Sequence, residues 1–533
     1  MSFYKLKTSV RERALARTAA LSVGAALLAV VAIVSTAAAS NSRKRSGRAA
    51  ASSNLTMAIA VAPQSLDPSK DDAADGLFAA ELLYEPLIHE TYSGGYTPGL
   101  AVAWHYVGKG NKKFELTIRS GAKFSDGEPV TAAAVAAGLV YNSKGTGNAG
   151  STFTGLKAKA VGNKVLITVT TPVNNFPGAL SQDSLTADIP CPKALSSPAS
   201  LASQPCGAGP YVLDSSATVS GSKYVFTPDP NYYDPAAIHY KSVTLQVISS
   251  PTSALEALRT GQVQVYTDTN LGMYAAAKAA GLNVRVLGET AFTPIWIMDR
   301  FGKIDKPLGN VLVRQALNFA VDRSAIAKAT YGPLGVAFDE PVTPGLLGYD
   351  PAVASYYRYD PTLAKKLLAR AGYPHGFSFS VLYITSQSVI GTTLQALVPE
   401  FARIGVKLKL VPETGFPPFS AAQATKKYEA FSLGPWSGTL AGTSSLLWGG
   451  HNGANAFYAD TPAFLKLYKA AGAASGADVD KASEALTAYT VKQAWFITVA
   501  ATKSFVLATK GVNGLPPTGS VEPDGFDVTQ LQP

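Results

Sequence analysis

The stretch YDPTLAKKLLARAGYP, residues 359–374, leaves its own backbone almost no choice. Asp360 stands where a helix cap belongs and Pro361 at the first helical position, while Gly372 and Pro374 end the run. Ala364, Leu367, Leu368 and Ala371 recur at helical spacing and supply one buried face. Around it the chain changes period again and again. KKFELTIRS (112–120) alternates Phe114, Leu116 and Ile118 with Glu115, Thr117 and Arg119, so it reads as a strand with one buried face. KVLITVT repeats this with Val165, Ile167 and Val169, and SVTLQVI with Val243, Leu245 and Val247. PTSALEALRTG is a short helix with Pro251 near its start and Gly261 at its end, running into GQVQVYTD. NVLVRQALNFAVDRSAIAKA places Val313, Ala316, Leu317, Ala320 and Val321 on one helical stripe, with Asn310 as cap. EFARIGVKLKL turns from helix through Gly405 into an alternating strand. Strands and helices alternating in this way favour α/β lobes over an all-β sandwich.

A chain of 533 residues exceeds what one hydrophobic core covers, so two or three lobes are expected. With 47% apolar and 15% charged residues it is globular rather than disordered. The net charge of +10 suggests a polyanion partner until its position is read. Four net positive charges fall before residue 40 and four more on Arg43, Lys44, Arg45 and Arg48, which leaves +2 for the rest. No nucleic-acid footprint follows from that.

Those first charges belong to a targeting segment. Basic residues precede an uncharged, largely apolar run over residues 18–39 that ends in STAAAS, where Ala37 and Ala39 fit a cleavage site. The run is also long enough to span a bilayer, so both a cleaved signal peptide and a retained anchor fit it. Export is expected in either case. Residues 40–54 read as a polar, basic linker.

The two cysteines, Cys191 and Cys206, are expected to form a disulfide in an exported chain. Closing a loop of about 15 residues stabilises by roughly 3 kcal/mol in the chain-entropy picture. Reactive signatures are missing: no zinc-protease, phosphate-loop, nucleophile-elbow or dinucleotide motif is present. His89, His105, His239, His375 and His451 are scattered without metal-ligand spacing. No catalytic residue, metal or cofactor is expected.

One corner is unusually well specified for a chain without chemistry. In KFSDGEPVTAAAVAAGLVY (123–141), Asp126-Gly127 makes a turn, Pro129 stiffens it and Thr131 caps a helix. This corner occurs in order with SLDPSKDDAADGLFAAELLYEPLI, YTPGLAVAWHY, CGAGPYVL, ALRTGQVQV, VRQALNFAVDRSAI and YDPTLAKKLLARAGYP. Together these segments resemble the extracellular solute-binding proteins of peptide and nickel ABC importers, over roughly residues 55–515. The family often has an acid where Ala134 stands.

The resemblance implies a two-lobed α/β binding-protein fold, type II, in its large variant with an inserted third subdomain. It implies a first lobe of residues 55–86, 207–295 and 496–520, an inserted subdomain of 87–206 and a second lobe of 296–495. A solute would be enclosed between the lobes and passed to a membrane ABC permease, with the protein a monomer and no enzyme. The alternative is an envelope-anchored sensor or interaction module on the same scaffold. By resemblance the loop after SLDP lines the cleft, which places Asp72, Ala73 and Ala74 against ligand. A second motif has tryptophan followed three residues later by an aspartate that holds a peptide's ammonium group. Here GPWSGTLAG keeps Trp436, followed by Ser437, with Thr439 at the carboxylate's place. A buried ammonium without an opposite charge carries several kcal/mol of desolvation. YITSQSVIGTT also lacks the arginine that grips a dipeptide's carboxylate in relatives. The expected ligand is therefore a longer or modified peptide, a glycan or another polar organic solute, with Trp436, Trp448 and Trp296 suited to stacking.

Overall fold

Two strands organise the chain, and each is long because it serves two bodies. The structure, a computed structural model, describes residues 53–71, 76–153, 155–385, 388–434, 455–476, 478–520 and 526–533. Among these residues, eleven strands join in one sheet. Asn283–Ile297 and Phe496–Ala508 run antiparallel through its middle. Their ends have different neighbours. Val265–Asp268 pairs with residues 505–508 of the second crossing strand, and continues the sheet to Asn54–Ile59, Ser242–Val247, Lys223–Pro228 and Tyr211–Leu213. At the other end Trp296 and Ile297 of the first crossing strand pair with Phe431 and Ala430, leading to Ser378–Ile384 and Lys407–Glu413. Between these ends the register slips three times, at Val286/Glu289, Glu289/Ala291 and Phe292/Pro294. Irregularities of this kind bend and twist a strand pair.

The two halves of the sheet have separate cores. Met57, Phe78, Tyr84, Phe226 and Leu245 pack together on one side. On the other, Phe292, Trp296, Phe431, Phe464 and Trp495 form one cluster, and Leu317, Leu368, Phe379 and Phe401 another. This is the two-lobed α/β architecture expected from the resemblance. A third core, with Phe114, Leu116, Val135, Ile167 and Phe176, lies under a four-stranded antiparallel sheet made of Ala101–Tyr106, Lys113–Ile118, Lys164–Thr168 and Lys157–Val161. Phe114, Leu116 and Ile118 are buried as their alternation requires.

The chain enters and leaves this third part through a narrow neck. Gly209 N donates to Leu83 O at 3.0 Å, and a Cβ on Gly207 or Gly209 would fall 2.3 or 2.4 Å from Leu83 backbone atoms. The glycines of CGAGPYVL are there because two backbones touch. The corner at 123–131 is fastened to the same neck: Ser125 N donates to Gly207 O at 2.8 Å, and Asn231 Nδ2 donates to Ser125 O at 3.1 Å. Gly127 takes φ +88°, Glu128 N donates to Asp126 Oδ1 at 3.0 Å, and Thr131 Oγ1 accepts from Ala134 N at 3.1 Å. The corner is a joint, which accounts for its definition without reactive groups. Cys191 and Cys206 are disulfide-bonded beside it, with Cα atoms 5.4 Å apart. Glu85, 2% exposed, closes the neck by accepting from Tyr232 Oη at 2.8 Å and Tyr233 Oη at 2.5 Å, with His89 Nε2 at 2.8 Å.

The apolar stripe over residues 310–329 is buried but does not lie on a single helix. Residues 310–329 form two helices, Val311–Phe319 and Arg323–Tyr331. Asp322 caps the second by accepting from Ala325 N at 3.0 Å, so the apolar stripe continues through Ala320 and Val321 while the helix does not. A side chain that offers the backbone a cap competes with helix continuation. The helix Pro361–Arg370 matches its punctuation, with Asp360 Oδ1 accepting from Leu363 N at 2.7 Å and Gly372 at φ +91°.

Candidate functional site

The expected ligand loops follow two fixed mounts. On the first lobe the SLDP segment is held by its own aspartate. Asp67, fully buried, accepts from Ser69 N at 3.0 Å and Ser69 Oγ at 2.8 Å through Oδ1, and from Tyr141 Oη at 2.8 Å through Oδ2. Tyr84 Oη donates to Leu66 O at 2.9 Å. Gly147 N and Asn148 N donate to Ser69 O and Asp71 O at 3.0 and 2.8 Å. A Cβ on Gly145 or Gly147 would lie 2.0 Å from those same carbonyl oxygens, so glycine is required for the approach. Asp71 leaves this platform buried, its Oδ1 accepting from Gln64 N at 3.2 Å. Nearby Asp188, also buried, has its carboxyl pushed well up, by burial first and then by the charge of Asp71. Asp72, Ala73 and Ala74 come next in the chain and lie outside the described residues.

On the second lobe, Ala430–Phe431 delivers the chain toward Trp436. Ser432 Oγ donates to Pro294 O at 2.7 Å and Ser432 N donates to Leu382 O at 2.8 Å. This mount therefore sits on the first crossing strand, beside its last register slip. Trp436, Ser437, Thr439 and Trp448 lie outside the described residues. Trp296 does not serve as a stacking surface. It is 2% exposed and meets Phe292 and Phe496 edge-on with centroids 6.2 and 5.8 Å away, so it is core packing.

The lobe is fastened to the crossing strands by side chains that no motif singles out for the role. Asn318 Nδ2 donates to Phe496 O at 3.0 Å, and Arg323 Nε donates to Thr498 O at 2.9 Å. Arg314 reaches Gln493 O at 2.9 Å and Leu308 O at 2.8 Å, and Arg300 stacks on Trp495 with its guanidinium carbon 4.5 Å from the ring centre. Burial pulls Arg323 down to about 10, which leaves it charged at neutral pH. Polar residues recurring in VRQALNFAVDRSAI were the available signal. Their partners are backbone carbonyls some 175 residues onward, which no local pattern reveals.

With two lobes, a bent strand pair between them and a mount for one loop on each, the geometry is that of a clamp. The chain matches the family described as "Bacterial extracellular solute-binding proteins, family 5 Middle" over residues 95–458. The chain belongs to that family. Among curated relatives of this solute-binding protein, Heme-binding protein A of Haemophilus influenzae is 31% identical over 214 residues, covering 39% of this chain and 38% of the relative. Glutathione-binding protein GsiB of Escherichia coli O6:K15:H31 is 28% identical over 319 residues, covering 56% of this chain and 57% of the relative. The chain thus spans between about two-fifths and three-fifths of the length of the curated relatives it matches. The solved structure of the PBP AgaA from A. tumefaciens R10, in complex with agropinic acid, superposes with a TM-score of 0.75 at 23% identity, covering 90% of this chain and 97% of that one. At that identity the likeness establishes the fold. Among the described residues no helix is long and apolar enough to cross a membrane.

Proposed function

We propose that this solute-binding protein is the extracytoplasmic substrate-binding component of an ABC importer. It encloses a peptide or another polar organic solute between its lobes and delivers it unchanged to a membrane permease. The observation that carries this reading is the pair of crossing strands. They are continuous with both lobes yet irregular between them, which permits rotation of one lobe against the other without unfolding either. The relative named for glutathione, itself a tripeptide, and the similarly folded protein solved in complex with agropinic acid support a polar organic ligand. Residues 55–86, 207–295 and 496–520 act as the first lobe, 87–206 as the insert and 296–495 as the second lobe. Asp72, Ala73 and Ala74 face the ligand from one side, and Trp436, Ser437 and Thr439 from the other. Thr439 supplies no negative charge, so a free ammonium terminus is disfavoured there relative to a neutral polar group. The protein works outside the cytoplasm, exported by its N-terminal segment, which either is cleaved or tethers it.

Native mass spectrometry of the purified protein tests the proposal by showing a co-purifying solute. A thermal-shift screen with glutathione, tri- to pentapeptides and oligosaccharides follows. A ligand present at 100 times its dissociation constant stabilises by about 2.7 kcal/mol. No bound mass and no shift with any probe would sink the importer reading.

A further inference from the structure

A second bridge joins the bodies, separate from the crossing strands. The turn between strands Ala101–Tyr106 and Lys113–Ile118 carries Asn111 with φ +50°, a left-handed conformation that asparagine tolerates better than most residues. Although it stands at a hairpin tip, Asn111 is only 5% exposed. Its Nδ2 donates to Gly472 O at 3.1 Å and to Ala474 O at 2.6 Å. Those carbonyls end the helix Pro462–Ala473, where backbone acceptors have no partner within the helix. The same helix contributes Phe464 to the second lobe's core. Beside this contact Asn174 Nδ2 lies 3.4 Å from Oγ of the buried Ser483, on the following helix. Pro172 O approaches so closely that a Cβ on Gly472 would stand 2.7 Å from it. Val173 N donates to Asn111 O at 2.9 Å, so the two segments of the four-stranded part present one surface.

We propose that this contact is a latch. Asn111 and Pro172 engage the helix end at Gly472–Ala474 and Asn174 engages Ser483 of the following helix when the lobes are closed, and the contact is broken on opening. Its stereochemistry suits reversal. The side-chain amide meets carbonyls that water satisfies once the surfaces part, and the glycine offers a smooth seat with no side chain to withdraw. Closure is thereby biased from outside the ligand cleft, and the residues that set the bias are distinct from those that choose the solute. The inference takes from the importer reading only that the lobes open.

The test uses the full chain with its disulfide intact and no added ligand. Nitroxide labels are placed at the exposed positions Lys159→Cys and Lys466→Cys, and pulsed EPR reads their separation. Asn111→Gly removes the amide and keeps the left-handed backbone. Gly472→Ala leaves the amide and obstructs the seat. Asn111→Gly raises the ratio of long to short separations on the order of tenfold, as the loss of two hydrogen bonds would, and Gly472→Ala shifts it in the same direction by pushing Pro172 off its seat. Circular dichroism confirms that both variants fold. Folded variants with the parent's distance distribution would overturn the latch. A cleft that binds no solute would strike the importer reading and leave the latch standing, because these distances are read without ligand.

Discussion

Glu340 shows how much a single buried group controls. It is fully buried, and Oε2 accepts from Asp350 N at 3.1 Å, while among the described residues no hydrogen-bond partner reaches Oε1. Burial pushes its carboxyl up to about 8, opposed by the hydrogen bond from Asp350 N and assisted by the charges of Asp339 and Asp350. In the unfolded chain the group returns to the ordinary carboxylate range, about pH 4.3. Between that pH and about 8 the folded state holds a proton that the unfolded state has released. Stability therefore falls as pH rises through this window and levels off above it. Glu340→Gln, which keeps the neutral shape, removes that slope. The melting temperature of the variant relative to the parent climbs between pH 5 and pH 8, and a constant difference across those pH values would refute the assignment. Arg323 is buried too but keeps its charge, which the Thr498, Asn318 and Tyr357 carbonyls satisfy. Arg323→Ala leaves buried acceptors unpaired and lowers unfolding stability by about 3 kcal/mol in a denaturant titration.

At the scale of elements, the disulfide is the clearest lever. It joins residues 15 apart beside the neck, with Cys191 fully buried among the third core. Replacing both cysteines by alanine lowers the stability of the four-stranded part by roughly 3 kcal/mol, read from tryptophan-independent probes such as amide exchange over 87–206. Legibility followed the range of the interactions. Strands with strict alternation and helices with both caps, such as Pro361–Arg370, were plain because their determinants lie within a few residues. Asp322 split a helix because a cap and a helical interior look alike when the apolar stripe continues past it. The first crossing strand, NVRVLGETAFTPIWI, showed no clean period, since Gly288 and Pro294 and three register slips interrupt it. Its partner lies about 200 residues onward, beyond the reach of any local pattern. The mounts of the site were half visible. SLDP and VRQALNFAVDRSAI stood out as motifs, but Asp67 and Arg323 act on backbone and hydroxyl groups brought from distant segments.

For the whole molecule, the arrangement of bonds along the crossing strands decides where motion is possible. Residues 283–286 and 505–508 are held by the first lobe's sheet, and residues 294–297 and 496–498 by the second's, through Ala430–Phe431, Asn318 and Arg323. Between them the ladder is interrupted and the short strand Gly335–Ala337 covers residues 500–502 from one side. Rotation of the lobes must therefore be absorbed by few backbone torsions around residues 287–293, because each flank is tied into a packed core that resists shear. Local opening should be cheapest at the same place. Hydrogen-exchange mass spectrometry on the full chain is expected to find amides of residues 287–293 exchanging well ahead of those at 283–286 and 295–297. A ligand that closes the clamp would slow the middle more than the ends, since it restrains the hinge without adding contacts to either sheet. Uniform protection along the strand would mean that the lobes move about some other axis, and that the register slips serve only the twist of the sheet.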